Sequence, residues 1–270
     1  MSTGLLATVA VLWGAAAGAL LPRAAYRFSA PQGEEWLAAC PAGHPVRGWL
    51  GRAHCAHCTE TGPATGRTRT ATGAGTATGT GQATGTRTAG AYGSTAPALL
   101  ATALVCAALA AATGTRPELA VWLLLAPVGV LLAIVDFRVQ RLPDPLTLPF
   151  AAAALLLLGL VSLVPEHAGE WTTALLGALA LGGGYFVLFL INPAGMGFGD
   201  VKLALGAGAV LGWYGWPTLM LGTLAGFLSG ALYGGALVVA RRAGRKTAIP
   251  FGPFLITGAF AGLLVGAYTA

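Results

Sequence analysis

The sequence predicts an all-α polytopic membrane protein of about eight transmembrane helices, with a cytoplasmic insert between the first helix and the second. Three observations predict it. Hydrophobic residues make up 56% of the 270 and charged residues only 9%, where a soluble globular chain carries about 25% charged residues. The apolar residues fall into runs near the length of a membrane span, about 20 residues, divided by charged or Pro/Gly-rich points. The basic residues gather on alternate connections, as orientation by positive charge requires. Such a composition excludes a soluble enzyme and a DNA-binding domain. Four Cys in 270 residues do not make a secreted disulfide scaffold. The net charge of +6 therefore sets topology in a lipid bilayer and implies no nucleic-acid partner.

The first apolar run, Leu5 to Leu21, has no Lys or Arg before it, while Arg23 and Arg27 follow it. A secretory signal carries its positive charge ahead of the apolar core. Residues 1–22 are therefore expected to form an uncleaved first helix with its N-terminus outside. The insert then falls into two parts. Residues 23–58 mix Trp36, Trp49, Glu34, Glu35 and three Cys, and are expected to fold as a small Cys-containing cytoplasmic unit. In residues 59–95, Thr, Gly and Ala supply 29 of 37 positions. Almost no large apolar side chain is left to offset chain entropy, so this segment is expected to be a flexible linker.

Seven further runs make a membrane domain over 96–270. They lie near 96–113, 119–136, 146–164, 171–191, 201–214, 216–240 and 250–269. The breaks fall at Arg116-Pro117, Arg138 to Pro145, Pro165 to Glu170, Asn192 to Asp200, Trp213 to Pro217 and Arg241 to Pro250. The 201–214 run is short for a full span. With the N-terminus outside, alternation places every basic residue but Arg116 inside or at the inner edge, which supports an even number of crossings. Gly222, Gly226, Gly230 and Gly234 recur every four residues, so one helix face is expected to admit a close neighbour.

Acidic residues are few enough to weigh singly. Glu34, Glu35 and Glu60 lie in the insert, and Glu118, Glu166 and Glu170 fall in the outer loops. Asp136, Asp144 and Asp200 are left at the inner membrane edge, where a carboxylate beside apolar helices marks a functional site by default. Two carboxylates meeting in a partly dry site cannot readily both ionise, so such a pair holds one proton between them. The ionised member can activate water and the protonated one can donate to a carbonyl oxygen. Bland alternatives stand beside this. Asp200 could be a helix N-cap, and Asp136 a partner of Arg138 or Arg141. Asp144-Pro145 matches an N-cap followed by Pro at the first helical position, a structural role.

Asp136-Phe-Arg-Val-Gln-Arg-Leu-Pro-Asp144, followed by a helix pair and Gly197-Phe-Gly-Asp200-Val-Lys202, resembles the type IV prepilin leader peptidases, membrane aspartic proteases of the GxGD type. Gly18-Ala-Leu-Leu-Pro-Arg-Ala-Ala-Tyr26-Arg27 is similar to that family's exit from its first helix. The resemblance covers nearly the whole chain except the linker. It implies an aspartic endopeptidase of the bacterial cytoplasmic membrane, its active site facing the cytoplasm, that removes the leader of type IV prepilins or pseudopilins. Asp136 and Asp200 would be catalytic, with Gly197, Gly199, Lys202 and Asp144 binding substrate or supporting the pair. On this reading proteolysis needs no cofactor, and deletion of 63–92 should leave cleavage in a membrane assay largely intact.

The family's fuller form carries two Cys-x-x-Cys pairs, read as a metal knuckle. Here Cys55-Ala-His-Cys58 is whole, but Gly43 stands where a partner for Cys40 belongs. His44 follows directly. Cys40, His44, Cys55 and Cys58 would give a Cys₃His set suited to structural zinc, with His54 and His57 as replacements and free thiols as the alternative. Many members also methylate the new N-terminus with S-adenosylmethionine, and the irregular insert leaves that activity open. Two rival readings are a GxGD peptidase with another membrane substrate and a proton- or ion-coupled transporter. The transporter should show mid-bilayer carboxylates and internal repeats, and neither is legible.

Overall fold

The computed structural model describes residues 3–31, 33–60, 94–193, 195–240 and 250–270. Most of the expected linker lies outside these residues, as does the basic stretch 241–249. The described residues form α1 (Thr3–Phe28), α2 (Ala56–Glu60), α3 (Ala96–Thr113), α4 (Glu118–Val139), α5 (Asp144–Val161), α6 (Trp171–Ile191), α7 (Phe198–Gly212), α8 (Trp216–Val239) and α9 (Gly252–Thr269). Between α1 and α3 they are otherwise non-helical. Seven of these helices are long and apolar enough to cross a membrane. Their outward positions carry bare apolar side chains, with Leu104 69%, Leu156 69% and Ile191 75% exposed, a surface that lipid rather than water covers. Proline fixes several starts: Pro97, Pro145, Pro217 and Pro253 each sit in the first two positions of their helix, where a missing N–H costs nothing.

The short run is the exception and the centre. α7 has 15 residues, a rise of about 22 Å against a hydrocarbon layer of about 30 Å. It is wrapped by its neighbours, and its residues from Val201 to Gly212 are almost all buried. α6 lies closest to it. A side-chain carbon at Gly177 would stand 2.6 Å from the Gly208 carbonyl, so glycine on both helices sets the spacing. α1 and α3 meet in the same way at Gly14 and Gly18, and α8 and α9 at Gly222, Gly226 and Gly258. The four-residue glycine face expected on α8 therefore has α9 as its neighbour, and Gly230 continues it, a side-chain carbon there standing 3.5 Å from the ring of Phe254.

α1 runs through Pro22 to Phe28, six residues beyond the expected first segment. Proline removes a helical hydrogen bond, and the insert occupies the gap. The Arg23 N–H donates to the Gly51 carbonyl at 3.0 Å, and the Gly51 N–H donates to Leu20 at 2.8 Å. Gly51 has φ 130°, and a side chain there would press on the Arg23 guanidinium. Arg23 also donates to the Arg47 and Leu50 carbonyls, Tyr26 to Ala39, and Arg27 to Gly48 while stacking over Trp49. The helix-exit residues thus staple the insert to α1.

Glu118 is not the loop residue its position suggests. It is fully buried in the first turn of α4, accepting from the Tyr214 hydroxyl at 3.3 Å and lying 3.7 Å from Arg116. Tyr214 in turn accepts from the Trp122 indole at 3.2 Å, and Arg116 donates to the Ala267 carbonyl of α9. This network joins α3, α4, the end of α7 and α9 at the end of the bundle remote from Asp136. Glu118→Ala should remove the one charge that, among the described residues, faces the Arg116 guanidinium, and leave it on backbone carbonyls alone. Breaking a buried pair costs about 3–5 kcal/mol, and the lower figure applies because Arg116 is a fifth exposed. Thermal unfolding in detergent reads the loss, and Glu118→Gln should recover most of it.

Candidate active site and metal centre

Asp136 lies three residues before the end of α4. The helix stops at Gln140, left-handed at φ 52°, whose N–H donates to the Asp136 carbonyl at 2.8 Å. The chain then turns through Arg141, Leu142 and Pro143 into α5. The Asp136 carboxylate is 4% exposed and accepts from the N–H of Gly252 at 3.0 Å. Gly252 opens α9, so the carboxylate rests on a helix N-terminus, whose partial positive charge favours an anion. A side-chain carbon at 252 would lie 2.7 Å from that oxygen, so glycine permits the approach.

Asp200 lies in the first turn of α7, 7% exposed. Gly197 is the N-cap, and its N–H donates to Asp200 Oδ2 at 3.2 Å. Asp200 is therefore not the cap itself. It reaches back from three residues inside the helix, as the acidic member of a capping box does. The bland reading of Asp136 also fails, because Arg141 turns instead to Trp36 and the Pro31 carbonyl. Among the described residues neither aspartate forms an ion pair.

The two aspartates come from helices 64 positions apart in sequence and open on one cavity of about 580 Å³. Lys202, Asp144, Gly197 and Gly199 line the same cavity. Lys202 meets Asp144 at 2.7 Å and lies over the Phe198 ring. The N-cap of α5 falls on Pro143, so Asp144 is the exposed half of an ion pair and not a cap. The space beside Gly199 is taken by Leu142, 2.8 Å from where a side-chain carbon would stand. That glycine packs α7 onto the α4–α5 turn. Sequence reasoning missed Gly33 and Trp36 of the insert as wall residues, and Arg141 as the residue that stacks on Trp36. Nothing in their spacing relates them to the aspartates.

A second cluster lies in the insert. The chain reverses at Gly43 (φ 86°), with Cys40 donating its N–H to the His44 carbonyl at 2.8 Å and Val46 to Ala38 at 2.7 Å. This brings Cys40 and His44 beside Cys55 and Cys58, all four donor atoms within 4.8 Å of one another. Cys40 Sγ lies 3.9 Å from Cys58 Sγ and 3.7 Å from His44 Nδ1. His44 Nδ1 is 3.3 Å from Cys58 Sγ and 3.7 Å from Cys55 Sγ. Tetrahedral zinc, at about 2.3 Å from sulfur and about 2.0 Å from nitrogen, sets its ligands about 3.5–3.8 Å apart. The donor set fits that ion. The thiols are already differentiated. Burial works against ionising Cys40, but the N–H groups of Ala42 and His44, with the Cys55 and His44 side chains, hold it down at about 6. Cys55 and then burial push Cys58 up to about 11.

The type IV leader peptidase family matches residues 121–235, a stretch holding both aspartates. A prepilin leader peptidase/N-methyltransferase of Aeromonas salmonicida is 38% identical over 152 residues, 53% of this chain and 48% of that one. One of Escherichia coli K12 is 38% identical over 142 residues, 49% of this chain and 57% of that one. The chain thus spans about half the length of these curated relatives. The leader peptidase HopD of Salmonella typhimurium is 34% identical over 138 residues, 49% of this chain and 84% of its own length. No solved structure matches the chain.

Proposed function

The chain belongs to the type IV leader peptidase family, and from that premise we propose that it is a membrane-embedded aspartic endopeptidase that removes the leader of type IV prepilins or pseudopilins. One observation carries the reading. Asp136 and Asp200, both buried and both held on helix N-termini, share one cavity at one end of an apolar bundle. With one proton between them, the ionised carboxylate takes a proton from water as its oxygen attacks the scissile carbonyl carbon. The protonated one gives its proton to the carbonyl oxygen. The diol then collapses, the C–N bond breaks, and the amine leaves with a proton from the pair. No acyl-enzyme forms.

The substrate is a single membrane helix with a basic leader, cut on the cytoplasmic side, which places the cavity there and the N-terminus of α1 outside. The alternation of basic residues supports that orientation. Lateral access is supported by a second, apolar cavity of about 490 Å³ between α4, α7 and α9, which begins at Phe137 and Arg138 beside Asp136 and continues past Leu203, Ile256 and Phe260. It suits the apolar segment that follows a leader.

Cys40, His44, Cys55 and Cys58 would hold zinc, which supplies a cross-link for the insert. S-adenosylmethionine is assigned no step. The cavity on the insert, about 320 Å³, is lined by Arg23, Arg47, His54 and His57, and among its lining residues there is no carboxylate to take the ribose hydroxyls. Co-expression with candidate prepilins in membranes, followed by mass, tests the proposal. Loss of the leader supports it, and an added methyl mass would reveal the transferase. No cleavage of several inserted prepilins would overturn it.

A further inference from the structure

The peptidase cavity has a wall that the membrane domain does not supply. Gly33 and Trp36, from the insert, line it together with Asp136 and Asp200. Trp36 is held there from three sides. Its ring meets Phe28 edge-on at 5.1 Å, and it packs on the cluster of Leu21, Ala25, Leu131 and Val135 that joins α1 to α4. The Arg141 guanidinium lies over the ring, 4.3 Å from its centre. Arg141 also donates to the Pro31 carbonyl at 2.9 Å, and Leu37 donates its N–H to the Arg27 carbonyl at 3.0 Å. Arg141 belongs to the short turn between Asp136 and α5, so one side chain ties the insert directly to the catalytic segment.

Resting on the peptidase reading, we propose that Trp36 is a substrate-positioning wall of the cavity, latched by Arg141, and that the insert thereby sets the affinity for the leader. A partly exposed indole offers the largest rigid contact area of any side chain, with one end able to stay wet. An extended peptide crossing from the aspartates toward the insert must pass it. The wall does not touch the reacting bond, so its loss acts on binding. Removing an interaction made equally in ground and transition states raises KM and leaves kcat unchanged.

The test is steady-state cleavage of a prepilin by the full chain in nanodiscs. Trp36→Ala should raise KM at least tenfold with kcat within about threefold, the signature of lost uniform binding, and Trp36→Phe should recover most of the loss. Arg141→Ala, which keeps the indole but removes its latch, should raise KM less. A drop in kcat with KM unchanged, or no change in either, overturns the proposal. If the wild-type chain cleaves no prepilin, the peptidase reading falls, and amide exchange judges the latch alone. Faster exchange at Leu37 in Arg141→Ala supports the wall, and unchanged exchange removes it.

Discussion

Asp200→Asn is expected to abolish leader removal while the protein still inserts and folds. Asn is isosteric and keeps an oxygen that accepts from the Gly197 N–H, now 3.2 Å away, so the start of α7 should survive. The cost to stability is that of a weakened cap, at most about 1 kcal/mol. The chemistry fares differently. An amide can neither take the proton of the attacking water nor return one to the amine. A positioned acid or base contributes about 10²–10⁴-fold, and both roles pass through one shared pair, so the loss should reach the upper end or beyond. Asp136→Asn should match it, since Asp136 is held on Gly252 in the same way. The double variant should be no worse than either single one, because residues that act as a unit are not additive. Asp144→Asn is the internal contrast. Its carboxylate is 61% exposed in an ion pair with Lys202, a contact worth about 0–1 kcal/mol, and its effect should be on the order of a hundredfold smaller than that of Asp200. Equal losses at all three aspartates, with normal insertion, would sink the assignment of a catalytic pair.

The convergence of Asp136 and Asp200 was legible because a membrane leaves few choices. Once the apolar runs are counted, alternation decides which ends share a face, and scarce carboxylates on one face are candidates to meet. The Cys₃His set was legible because a metal ligand needs only the right atom near the right spacing. Three features were not. Pro22 reads as a stop, but the helix continues because Gly51, 29 positions on, replaces the missing bonds. Glu118 follows Arg116-Pro117 and reads as loop. Its burial depends on Tyr214 and the end of α9, and no local pattern carries a contact over that distance. Trp36 reads as the core of a small unit, and its placement against the catalytic turn is set by Arg141 across more than a hundred positions. In each case the local sequence shows the residue, and the partner that decides its place comes from elsewhere in the chain.

Removing zinc should produce the other large effect, and it should fall on the insert alone. The hairpin that carries Cys40 and His44 has one isolated bridge, Ala39 with Pro45, and a core hardly larger than Ala53 and the cysteines themselves. So small a unit cannot bury enough apolar surface to hold its shape. Structural zinc contributes about 10–16 kcal/mol of apparent binding free energy to such units. Wild-type protein purified without chelator should therefore carry one zinc per chain by elemental analysis. Cys55→Ser should lose it, and proteolysis should then cut between 36 and 58 while α3 to α9 stay protected. The staples from Arg23, Arg27 and Tyr26 reach Ala39 and residues 47 to 51, and none of them joins Cys40 and His44 to Cys55 and Cys58 as the metal would. Because Trp36 sits at the base of the same hairpin, the metal-free protein should still cleave at saturating prepilin but with a raised KM. A wild-type chain that binds no zinc, and whose insert resists protease no better than that of the Cys55→Ser variant, would overturn the metal centre. A metal-free chain with unfolded insert and unchanged KM would instead separate the insert from substrate binding.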